Sequence, residues 1–89
     1  PQIWIDLNSA VELSDTQLTE GHESDIYVQN SSTLHANNCI IQNDKFIFNV
    51  QAVNNSTINL TQTTVENSIG DTFYSENNSQ ITYTLDELN

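Results

Sequence analysis

The chain has 89 residues, twelve acids against a single basic side chain (Lys45) beside His22 and His35, and a formal net charge of −11. That length holds one domain with a modest core. The charge excludes nucleic acid, whose phosphates need clustered Lys or Arg, and an anionic membrane surface. No apolar run reaches the roughly 18–20 residues of a membrane span, so membrane insertion is not expected either. Calcium, polycations or plain solubility remain compatible with the acidity.

The elements follow a period. Ile3, Ile26, Val50 and Phe73 recur at intervals of 23, 24 and 23 residues, and two positions later come Ile5, Val28, Ala52 and Ser75. Alternation at period two with β-branched and aromatic enrichment predicts a short strand with one buried face. Trp4, Tyr27, Gln51 and Tyr74 lie between the two columns and form an outward file. Next comes a corner reading Leu7-Asn8-Ser9, Asn30-Ser31-Ser32, Asn54-Asn55-Ser56 and Asn77-Asn78-Ser79. Asn and Ser suit turns because their side chains bond nearby backbone and Asn tolerates left-handed φ.

A second strand follows, with Val11 and Leu13, Leu34 and Ala36, Ile58 and Leu60, and Ile81 and Tyr83 inward. Glu12, His35, Asn59 and Thr82 point outward. A third apolar column stands at Leu18, Ile41, Val65 and Leu88, preceded by Thr16, Cys39, Thr63 and Asp86. Lys45-Phe46-Ile47-Phe48 and Ser68-Ile69-Gly70-Asp71 fall where one repeat passes to the next. A fixed period of this length is the mark of a stacked-repeat architecture. The expectation is all-β: one parallel β-solenoid domain over 1–89, of about four rungs (1–23, 24–46, 47–70, 71–89). Its hand is the right-handed one that parallel crossovers adopt. With two glycines and no Asn-Gly turn, a meander sandwich is disfavoured.

These columns resemble the right-handed parallel β-helix families, including pectate-lyase-like domains and the passenger regions of secreted adhesins and autotransporters. A second, weaker resemblance is to curlin-type repeats of functional amyloid, whose glycines are missing here. The first resemblance implies a stacked Asn ladder at one corner. Asn30, Asn54 and Asn77 match it by position, with Leu7 in that column marking a terminal rung. The ladder is expected to be buried, which competes with glycosylation of the same residues. Asn30, Asn54, Asn55, Asn59 and Asn77 each open an Asn-x-Ser/Thr sequon, and Asn59, then Asn55, are the expected acceptors.

Chemistry is sparse. There is no Arg, and the aspartates (Asp6, Asp15, Asp25, Asp44, Asp71 and Asp86) are spread over different columns, so no catalytic carboxylate pair is expected. His35, Cys39 and His22 fall short of zinc-ligand spacing. Cys39 falls inside the coil, where it reads as a small filler rather than a nucleophile. The stretch from Glu20 to Asp25 lacks the alternating ligands of an EF-hand and reads as a solvated acidic loop, with calcium its one conceivable ion. Trp4, Tyr27 and Tyr74 could stack on sugars or simply on one another.

No enzyme and no cofactor is therefore expected. The chain starts at Pro1, which suggests a processed form or a fragment. The expected function is structural: a secreted subunit, extracellular or on a cell surface, whose partner is itself. It would stack head to tail through Ile3, Trp4, Ile5, Asp6 and Val11 at one end and Phe73, Glu76, Ile81, Tyr83 and Leu88 at the other. The alternatives are a fragment of a surface adhesin that contacts carbohydrate or a host surface, and a polysaccharide lyase or hydrolase fragment, disfavoured by the missing basic residues. A strand-donating β-sandwich pilin shares the filament function.

Overall fold

The computed structural model describes residues 3–19, 24–42, 49–66 and 72–84. Eleven strands occur in these residues, in a rhythm of three, five and three residues per rung. The first rung holds β1 (Ile3–Ile5), β2 (Ala10–Ser14) and β3 (Gln17–Thr19). The second holds β4 (Ile26–Val28), β5 (Thr33–Asn37) and β6 (Ile40–Gln42). The third holds β7 (Val50–Ala52), β8 (Thr57–Thr61) and β9 (Thr64–Glu66). The fourth contributes β10 (Phe73–Ser75) and β11 (Gln80–Thr84).

Every described pairing is parallel, and the strands build three sheets: β1-β4-β7-β10, β2-β5-β8-β11 and β3-β6-β9. The molecule is a parallel β-solenoid. Its register joins Ile3, Ile26, Val50 and Phe73 in one column and Val11, Leu34, Ile58 and Ile81 in another. These are the columns the 23-residue period predicts. Leu88 and Asp86 of the third column, His22, Lys45 and the rung passages at 45–48 and 68–71 lie outside the described residues.

The corners explain how a coil turns without glycine. Between the first and second sheets each rung places two successive residues in the left-handed region. They are Leu7 and Asn8 (φ 58° and 59°), Asn30 and Ser31 (56° and 63°), Asn54 and Asn55 (57° and 65°), and Asn77 and Asn78 (55° and 63°). Between the second and third sheets one such residue suffices: Asp15, Asn38 or Gln62. Short polar side chains lower the cost of this region, which is roughly 1–2 kcal/mol for an ordinary L-residue. Leu7 and Gln62 gain no such relief.

The core is a stack of aliphatic layers. Ile26, Val28, Leu34, Ala36, Ile41, Val50, Ala52, Ile58 and Leu60, all in the two middle rungs, are fully buried. Each large member of that set contributes about 1.5–3 kcal/mol. In the outer rungs Ile5 and Leu18 are still buried, but Ile3, Val11 and Leu13 below and Phe73 and Ile81 above are only partly covered, with Tyr83 40 % exposed. Ser75 is exposed although Ala52, beside it in the column, is buried.

Candidate functional site

Among the described residues no three His, Cys, Asp or Glu side chains cluster closely enough to hold a metal ion. Cys39 is buried and its thiol lies near the carbonyls of Asn37 (3.4 Å) and Leu13 (3.7 Å). His35 is half-buried on the outer face of the second sheet, where Nε2 lies 3.3 Å from the Thr61 hydroxyl. An open groove along the single-residue corner is lined by Asp15, Gln17, Asn38, Ile40, Gln62 and Thr64 among others. Asp15 is the only acid among the described residues that line it, and it accepts from Asn38 Nδ2 at 2.6 Å.

The distinctive chemistry lies at the double left-handed corner, where two polar ladders run side by side. The outer one is made of amides. Asn77 Nδ2 donates to Asn54 Oδ1 (3.0 Å), Asn54 Nδ2 to Asn30 Oδ1 (3.4 Å), and Asn30 Nδ2 to Asp6 Oδ1 (2.7 Å). The expectation of burial is corrected: Asn30, Asn54 and Asn77 are all exposed, because two successive left-handed residues push this column outside the coil. The ranking of sequons changes too. Asn55 is exposed, whereas Asn59, held in the centre of β8, is half-buried.

The inner ladder is serine, and sequence reasoning missed it. The backbone N–H of Ser9 donates to Ser32 Oγ (3.2 Å), that of Ser32 to Ser56 Oγ (3.3 Å), and that of Ser56 to Ser79 Oγ (3.0 Å). Ser32 and Ser56 are buried. The signal was present, since every rung carries Ser at this position. Ser in an Asn-rich corner reads as turn chemistry, but a buried N–H also needs an acceptor.

Asp6 terminates the amide ladder. Its carboxylate accepts from Leu7 N–H (2.7 Å), Gln29 Nε2 (2.8 Å) and Asn30 Nδ2 (2.7 Å). The Asn30 and Gln29 amides, helped by the Leu7 N–H, hold its carboxyl below the usual carboxylate range. At the opposite end the Tyr74 hydroxyl donates to Glu76 Oε2 (2.6 Å), and that carboxylate pushes the phenol above its ordinary value.

The aromatic file is not a flat platform. Trp4, 63 % exposed, meets Tyr27 edge to face, with centroids 6.1 Å apart and planes at 90°. Coplanar faces for a sugar ring are therefore not presented by this pair. Phe73 and Tyr83 pack at 5.6 Å, filling the end of the core with two rings.

The described residues assigned to an assembly interface divide three ways. Ile3, Asp6 and Val11 lie on the first rung, and Phe73, Glu76, Ile81 and Tyr83 on the last. Trp4 is on the outer face, off the core. Ile5 is 4 % exposed, already buried within its own chain. Leu88 lies outside the described residues, as do residues 20–23 of the acidic loop. The rest of that loop is not solvated as expected. Ser24 and Asp25 are buried, and Asn49 Nδ2 lies 3.4 Å from Asp25 Oδ2 while bonding the Glu66 carbonyl at 2.8 Å.

No protein-family model, curated protein or solved structure matches this chain.

Proposed function

We propose that this chain is a secreted structural subunit that stacks head to tail into an extracellular filament. The observation that supports it is the state of the end rungs. In their described strands both keep the lengths and register of the middle rungs, yet Ile3, Val11, Leu13, Phe73 and Ile81 stay partly open where Ile26, Val50, Leu34, Ala36, Ile58 and Leu60 are closed. A sheet edge offers unpaired N–H and C=O groups to any strand of matching register. Here apolar side chains accompany that edge at each end. Because the two ends are different surfaces, the contact between copies is heterologous, and such a contact repeated without closure makes a fibre. The extracellular setting rests on the resemblance to secreted β-helix proteins.

Negative-stain microscopy of the purified 89-residue chain, with sedimentation velocity across concentration, tests this. Unbranched filaments one solenoid wide, at the expense of monomer, are the expected result. A monomer at all concentrations and salt levels overturns the reading.

A further inference from the structure

The two ladders at the double left-handed corner have opposite polarity, and this decides what each end of the solenoid lacks. In the amide ladder the later rung donates to the earlier. In the serine ladder the earlier rung's N–H donates to the later rung's hydroxyl. A third line runs the same way as the serines: Asn8 N–H to Asn30 O (3.0 Å), Ser31 N–H to Asn54 O (2.9 Å) and Asn55 N–H to Asn77 O (2.8 Å).

Continued by one rung, the pattern calls for a carbonyl opposite Asn78 N–H and a serine hydroxyl opposite Ser79 N–H. Neither N–H donates to any described residue. The first rung carries both acceptors at the matching positions, the Leu7 carbonyl and Ser9 Oγ. Ser9 spends its proton on the Asp6 carbonyl (2.6 Å), which leaves its lone pairs free to accept.

Two features of the same rung work against docking. Leu7 occupies the amide column, so nothing there donates to Asn77 Oδ1. Asp6 shares a column with Glu76, and like charges directly opposed on paired strands are destabilising. Asp6 also has three donors already, all from its own chain. The first rung is thus built to accept backbone hydrogen bonds while withholding an amide and adding a charge.

Resting on the filament reading above, we infer that the partner surface for the last rung is the first rung of a second copy. The junction is made by Asn78 and Ser79 donating to Leu7 and Ser9 of the next copy, and Leu7 with the Asp6–Glu76 pair keeps it weak. The apolar contact beneath it sets Phe73, Ile81 and Tyr83 of one copy on Ile3, Val11 and Leu13 of the next. Leu7 is 78 % exposed in a left-handed conformation that suits Asn. Leu7→Asn therefore leaves the fold intact while extending the amide ladder across the junction.

Register is tested directly by cross-linking in the full chain. Ala10, Thr33, Thr57 and Gln80 form one exposed or half-exposed column. The junction brings Gln80 of one copy beside Ala10 of the next, at about the 4.8 Å strand spacing. That lies within disulfide reach, roughly 4.4–6.8 Å between Cα atoms. A mixture of Gln80→Cys and Ala10→Cys chains is expected to form disulfide dimers on mild oxidation. Gln80→Cys with Glu12→Cys, two residues out of register, is expected to form few. Cys39 is buried and does not compete.

In parallel, Leu7→Asn should lower the concentration for half-assembly roughly two- to tenfold, the range for one added net hydrogen bond. Glu76→Gln should lower it as well and flatten its salt dependence. If the wild type assembles but the two cysteine pairs link equally and neither variant shifts the midpoint, this junction is overturned while the filament reading stands. If no variant and no condition gives assembly, both fall together.

Discussion

The middle rungs and the end rungs are built from the same columns, yet they solve different problems. In the first and second sheets of the middle rungs each inward aliphatic side chain has a neighbour above and below and is fully buried. At the ends the neighbour on one side is missing, so Val11, Leu13 and Ile81 stay partly open with the same chemistry and the same strand geometry. What separates Ile58 from Ile81 is therefore position in the stack. Burial in a solenoid is a nearest-neighbour property, and each rung is stabilised chiefly by those it touches.

Charge insertion breaks the comparison most sharply. Ile58→Asp strands an unpaired carboxylate in a column that is otherwise sealed, at a cost of roughly 3–5 kcal/mol. That is a large share of the ~5–15 kcal/mol a domain holds. It should abolish the cooperative urea transition. Ile81→Asp, in the same column but open on one side, should lower the midpoint and leave the transition visible. Thr57→Asp, outward and one residue away, should lie close to wild type. Equal damage from all three, measured by circular dichroism in urea, would contradict the layered core.

The two ladders offer a second, smaller contrast within one corner. Ser56→Ala removes the hydroxyl that accepts from the buried Ser32 N–H, and an orphaned buried donor costs about 1–3 kcal/mol. Asn54→Ala removes two exposed side-chain hydrogen bonds that water can replace, and about 0.5–1.5 kcal/mol is expected at most. Urea denaturation of both variants gives the order directly. If Asn54→Ala proves the more damaging, the inner and outer assignments of the ladders are reversed.

The smallest effect concerns acid. Asp6 has a folded-state pKa below its ordinary value of 3.8, so the carboxylate favours the folded state over the unfolded one. That contribution is whole above pH 3.8 and is lost as pH falls through the lower folded value. Asp6→Asn should flatten the thermal midpoint between about pH 4 and pH 2 relative to wild type. An unchanged acid slope would mean that Gln29 and Asn30 do not hold the Asp6 carboxylate in solution.

Much of this was legible in the sequence because a solenoid repeats its environment. Once Val11, Leu34, Ile58 and Ile81 align, strand identity, inward face and rung register follow from alternation alone. The Asn column was legible too, but its depth was not. Depth depends on how many successive residues turn left-handed: two at Asn54-Asn55 throw the amides outside, while Ser56 swings back beneath them. The edge-to-face meeting of Trp4 with Tyr27 was hidden for a similar reason, since side-chain rotation about a known backbone position leaves no periodic trace.

By itself the sequence determined the period, the three-strand rung, the parallel register and the composition of the core. Those rest on which residue types recur at which spacing, and a one-residue slip would turn every inward side chain outward. Only the tertiary structure decided which polar ladder is buried, which way each ladder points, and that Asp6 closes one of them. Hydrogen-bond direction and solvent access belong to the way rungs sit on one another, so no single rung's sequence carries them.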